Sequence, residues 1–197
     1  MGVPTKLSLT RCATGDEELA SIDTLTREDA KVLIDRAWWQ DLGTTLRDPT
    51  DESDRHWNWR ELVSANLNKP YFPAVCVKSA DGAIQGAAIY QVNARSAIEP
   101  GQRAVFVDRL ATAPWNRDWL AARPRFRGTG TGLLRHAIAT SYSLGLAGRV
   151  ALFPIANVEF YVAIGFQPTD ALVSDDRLYE LPSSSAIEIL RQRGLIP

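Results

Sequence analysis

The chain has 197 residues, with 22 Lys and Arg against 23 Asp and Glu and a formal net charge of −1 at pH 7. This balance gives no polyelectrolyte surface and excludes nucleic acid as an expected partner. No run approaches the ~18 apolar residues that cross a bilayer, so no membrane partner is expected either. The length suits one domain over residues 1–197. Cys12 and Cys76 lack metal-ligand spacing and no apolar signal segment opens the chain, so the expectation is a reduced, cytoplasmic protein without a metal.

In chain order, Lys6 to Arg11 alternates as a strand. Thr26-Arg-Glu-Asp29 forms a capping box ahead of the apolar face of Ala30, Leu33, Ile34, Ala37 and Trp38, which stops before Gly43. A polar stretch from Asp48 to Arg55 leads into a second helix from about His56 to Leu67. Pro73–Ser79 and Ala83–Val92 read as a hairpin turning at Asp81-Gly82. Arg103 to Thr112 is an apolar strand bounded by Pro100-Gly101 and Pro114.

Residues 113–124 form a long connection holding Trp115 and Trp119. Long loops of this kind serve as lids or specificity elements, so the two tryptophans are candidates for a substrate pocket. The alternative is that they pin an insert to the core. A helix of roughly Thr131 to Leu144 follows, then a short strand over Arg149–Phe153 and a helix from Asn157 to Ile164 stopped at Gly165. Ser185-Ala-Ile-Glu188 reads as a capping box for a closing helix that ends at Gly194.

The segment Arg125-Phe126-Arg127-Gly128-Thr129-Gly130-Thr131-Gly132 lies between the fourth of these strands and the helix. Three glycines at alternate positions admit φ > 0 and expose successive N–H groups. The helix start adds unpaired N–H groups and the positive end of its dipole, and together they suit a phosphate. A P-loop is excluded, because Leu133 follows Gly132 where Lys is required. A Rossmann fingerprint fails because Leu133 and Arg135 stand where its third glycine belongs. The alternative is a flexible turn that caps a helix.

Arg125-x-x-Gly128-x-Gly130, placed after an apolar strand and followed by Phe160-Tyr161-Val-Ala-Ile-Gly165-Phe166, resembles the GNAT N-acetyltransferases. The resemblance spans residues 104–166. It implies an α+β fold: a mixed, mostly antiparallel twisted sheet of six to seven strands, splayed between strands 4 and 5, with helices on both faces. It implies acetyl-CoA as co-substrate, with Leu110, Ala111 and Thr112 along the pantetheine arm. Arg125, Arg127, Gly128, Thr129, Gly130, Thr131 and Gly132 would lie at the pyrophosphate.

Tyr161 matches the family position that protonates the leaving thiolate; the alternative is an aromatic packed beside Phe160. Asp108 leaves the same strand face as Leu110 and is a candidate base, or else an ion-pair partner of an arginine. The chain departs from the family at Pro154, seven residues before Tyr161, where Asn often contacts the cofactor arm. Asn157 reads as an N-cap and is carried as the remaining candidate contact. The activity implied is acetyl transfer to a primary amine of a small molecule, by a monomer or homodimer. Acetylation of a protein N-terminus or lysine, and non-catalytic acyl-CoA binding, are the other readings.

Overall fold

The computed structural model describes residues 2–40, 42–155 and 157–196. The strands are β1 (Lys6–Arg11), β2 (Glu17–Thr24), β3 (Ala74–Lys78), β4 (Ile84–Arg95), β5 (Arg103–Thr112), β6 (Phe126–Arg127), β7 (Val150–Leu152), β8 (Gln167–Val173) and β9 (Asp176–Leu181). The α-helices are α1 (Arg27–Asp29), α2 (Trp59–Asn66), α3 (Thr129–Ser143), α4 (Val158–Ile164) and α5 (Ser183–Gln192). The strands form a mixed sheet ordered β6-β1-β2-β3-β4-β5-β7-β9-β8, and the five α-helices flank it. No helix among the described residues is long and apolar enough to cross a membrane.

Among the described residues, nine strands replace the expected six to seven. The additions to those read from the sequence are β2, β6, β8 and β9, whose polar letters give no clean alternation. β6 has only two residues and exists through its pairing of Phe126 with Arg11 and Arg127 with Thr10. With β2 and β6 counted, the strands that part are β5 and β7. They run parallel over Val105↔Val150, Phe106↔Ala151 and Val107↔Leu152, and β5 then continues past the end of that ladder to Thr112.

The chain divides into two compact units. The first comprises Pro4–Ile89 and Arg109–Leu133. There the Thr26 hydroxyl accepts from the Asp29 N–H at 3.0 Å, as the capping box requires, and the helix then widens into a π-turn over Ala30–Asp35. Leu25, Ile34, Trp38, Trp59, Val63, Cys76, Ile84 and Ala111 pack as one core cluster. The Trp38 and Trp59 rings meet edge to face at 6.0 Å, and the Trp38 indole N–H donates to the Ile84 carbonyl at 3.0 Å.

The helix expected from His56 begins three residues later. Asn58 caps the Glu61 N–H at 3.0 Å, and the Asp35 carboxylate takes the N–H groups of Trp59 and Arg60 at 2.8 and 3.0 Å. These acceptors satisfy first-turn donors that a helix cannot pair internally.

In the second unit, residues 90–108 and 134–196, the β8-β9 hairpin extends the strand order beyond β7. The predicted capping box at Ser185 is incorrect, because α5 starts at Ser183 with Pro182 at its N-cap. The first-turn N–H of Ser183 donates instead to the Glu99 carboxylate at 2.8 Å. A distant side chain therefore does what the local motif was expected to do.

Candidate active site

The glycine segment lies in the first unit. Gly128 stands between β6 and α3 with φ +95°, a region closed to most L-residues by their Cβ. The helix begins at Thr129, two residues earlier than the sequence predicts, and the Gly132 N–H donates to the Gly128 carbonyl at 2.8 Å. The N–H groups of residues 129–131 therefore precede any carbonyl of their own helix. Thr129 is 2% exposed, and its Oγ1 has no hydrogen-bond partner among the described residues.

The three glycines do different work. Gly130 lies in the first turn of α3. A Cβ at Gly132 would stand 2.3 Å from Leu7 Cδ1, so that residue admits β1 against the helix.

Arg125 and Arg127 are exposed at the entry. The Arg125 N–H donates to the Trp115 carbonyl at 3.0 Å, its carbonyl accepts from Cys12 N–H at 2.9 Å, and its guanidinium lies 4.8 Å from the Trp115 ring centre. Trp115 is buried, and its indole N–H donates to Gln85 Oε1 at 2.9 Å. Trp119 is 41% exposed and donates to the Glu52 carboxylate at 3.2 Å.

Along β5, Leu110 is half-buried, the Ala111 side chain belongs to the core, and the Thr112 carbonyl accepts from Arg117 Nε and Nη2 at 3.1 and 2.7 Å. Arg117, which sequence reasoning passed over, is 4% exposed. It also binds the carboxylates of Glu52 and Asp54, each through Nη1 at 2.7 Å. It fastens residues 113–124 to the segment around Asp54. A buried arginine facing two carboxylates more than sixty positions away carries no local signal.

The remaining candidates lie in the second unit. Asp108 is half-buried on β5, one residue past the last rung of its ladder with β7. Asn157, in the left-handed region at φ 53°, accepts from the Phe160 N–H at 3.3 Å and so caps α4. Tyr161 lies on α4 between Phe160 and Phe166, with ring centres 5.1 and 6.0 Å away. Burial pushes its phenol above the usual tyrosine range, so it carries its proton at neutral pH. Helix α4 ends at Gly165, where φ is 111°.

No protein-family model matches the chain, and no curated protein matches it in sequence. Solved structures match it in fold. AtaTR bound with AcCoA aligns with a TM-score of 0.55 at 19% identity, over 87% of this chain and 98% of that one. A chimera of the spermidine N-acetyltransferase SpeG from Vibrio cholerae gives 0.52 at 14% identity, over 85% and 98%. FdhC, described as a nucleotide-linked sugar GNAT, gives 0.56 at 10% identity, over 98% of both chains. The fold is that of the GNAT acetyltransferases. Within that fold the glycine segment of this chain opens the long helix α3, and Tyr161 stands on the short helix after β7.

Proposed function

We propose that this GNAT-fold protein is an N-acetyltransferase that moves the acetyl group of acetyl-CoA to a primary amine of a small molecule. One observation carries the reading: a positive-φ glycine hands the chain from β6 to the start of a fifteen-residue helix, beside a buried threonine hydroxyl with no partner among the described residues. That arrangement suits the oxygens of a diphosphate. The P-loop and Rossmann letters are absent, and a structural neighbour is described with AcCoA bound. The N–H groups of Thr129, Gly130 and Thr131 would receive the phosphates, with Arg125 and Arg127 adding charge.

The amine nitrogen attacks the acetyl carbonyl carbon, the C–N bond forms and the C–S bond breaks. Tyr161 gives its proton to the departing thiolate and recovers one from solvent. By the unperturbed values a phenol near ~10 gives its proton to a thiolate whose acid lies near ~8.5 slightly uphill, and burial of Tyr161 widens that gap, so the proton moves together with C–S cleavage, where a positioned acid acts. Asp108 takes the proton that the ammonium must lose, directly or through a water.

A small amine is favoured because Glu52 and Asp54, the carboxylates that Arg117 of the 113–124 connection meets, are already paired with it and are not free to receive a basic polypeptide. Release of free CoA over a panel of small amines and lysine peptides tests the reading. CoA release with small amines supports it, and release with peptides alone moves the acceptor to a protein. CoA binding without turnover of any acceptor would instead identify a binding module.

A further inference from the structure

The phosphate segment hangs from a strand of two residues, β6, whose ladder partner is β1. Two residues of ladder fix a backbone poorly, and beyond the backbone bonds of Arg125 to Cys12 and Trp115 the structure supplies a side-chain hold. The Phe126 N–H, two residues before Gly128, donates to Asn116 Oδ1 at 3.0 Å. Asn116 Nδ2 in turn donates to Gln85 Oε1 at 2.9 Å and to the Gln85 carbonyl at 3.3 Å.

Gln85 is 1% exposed in β4. Its Oε1 also accepts from the Trp115 indole, and its Nε2 donates to Ser79 Oγ at 2.7 Å. Its carbonyl takes the Ala113 N–H at 2.8 Å. Burying an amide side chain costs free energy unless its hydrogen bonds are remade, and here both ends of the amide are bonded. An aliphatic residue would fill the same strand position without needing partners. What the amide adds is direction, since a satisfied buried network holds its members in one geometry. Here that geometry ends on the backbone that leads into Gly128.

We propose that Asn116, held by Gln85, is a positioning residue that sets where the phosphate-binding N–H groups stand. The proposal rests on the acetyl-CoA reading above. Small misplacement of a binding group costs one to two orders of magnitude in function, so the effect should appear in cofactor affinity more than in folding.

The experiment measures the Kd for CoA by calorimetry and the unliganded melting temperature, in the wild type, Asn116→Ala, Asn116→Asp and Val63→Ala. Val63 is buried on α2 and serves as a destabilising control. Asn116→Ala should weaken CoA binding about 10-fold or more. Asn116→Asp keeps an acceptor for the Phe126 N–H but turns an oxygen onto the Gln85 Oε1 and carbonyl, while the Trp115 indole keeps the Gln85 amide from rotating; it should weaken CoA binding as Asn116→Ala does. Val63→Ala should melt earlier and bind CoA normally.

Should Asn116→Ala fail to fold, Gln85→Met removes the amide at similar length and carries the same expectation. A Kd for Asn116→Ala within about 3-fold of wild type overturns the proposal, as does an equal loss in Val63→Ala, because affinity would then merely track stability. Failure of the wild type itself to bind CoA overturns the acetyl-CoA reading and this proposal with it, and is distinguishable from both.

Discussion

Arg117→Met removes a guanidinium buried between Glu52 and Asp54 and leaves both carboxylates inside the protein without it. Removing one partner of a buried ion pair costs ~3–5 kcal/mol, because the uncompensated charge stays desolvated. Glu52 keeps a second cation, the more exposed Arg47, which places the loss near the lower bound, at about 3 kcal/mol. The Thr112 carbonyl loses two donors as well. A chain of this size loses roughly 2–4 °C of melting temperature per kcal/mol, so the variant should melt about 6–12 °C below wild type. Calorimetry at low and high salt is the assay, and the difference should persist in high salt because buried pairs are weakly screened. Neutralising the carboxylates as well, in Arg117→Met/Glu52→Gln/Asp54→Asn, should recover a good part of the loss. A drop under about 2 °C, or a triple variant less stable than the single one, would refute the assignment of Arg117 as the charge that holds residues 113–124 in place.

Gly128→Val, strained at φ +95° with only the Ser8 carbonyl nearby at 3.6 Å, should chiefly diminish the melting-temperature rise produced by acetyl-CoA; an undiminished rise removes the phosphate-loop assignment. Tyr161→Phe should lower kcat about 10²- to 10⁴-fold with little change in the KM for acetyl-CoA, and a loss below a few-fold returns Tyr161 to packing. Asp108→Asn should bind acetyl-CoA normally and lose kcat/KM for the amine, with partial recovery as pH nears the amine pKa; a loss that high pH does not relieve, accompanied by earlier melting, makes Asp108 structural. Burial lowers the His136 pKa to about 4 from a usual 6.5, so the folded state binds fewer protons than the unfolded one. Its contribution is full above pH 6.5 and lost as pH falls toward 4, at up to ~1.4 kcal/mol per unit. His136→Phe, which keeps the stack on Tyr90 at 5.9 Å, should flatten that part of the stability–pH curve. Parallel curves for the two proteins would show that His136 does not titrate there.

The elements legible in the sequence are those whose causes lie within a few residues. β5 runs over Arg103–Thr112 as read, because its apolar run and flanking Pro and Gly are local signals. The β3-β4 hairpin turns at Asp81-Gly82 and α4 is bounded by Asn157 and Gly165, for the same kind of reason. The GNAT resemblance was legible too, since its motif and the short helix lie within about forty residues of continuous chain.

What the letters left open depends on partners far along the chain. β2, β8 and β9 carry too many polar residues to announce themselves and exist because a neighbouring strand completes their hydrogen bonds. The start of α5 was misplaced because its first N–H, that of Ser183, looks to Glu99, eighty-four positions away, rather than to a local cap. The alternate glycines read as one flexible loop, yet only the fold separates Gly128, which turns the chain, from Gly132, which admits Leu7. Gln85, Asn116 and Arg117 are unremarkable as letters. Their meaning comes from burial, which removes water as an alternative partner and obliges each polar group to find a specific one, and only the tertiary structure decides which that is.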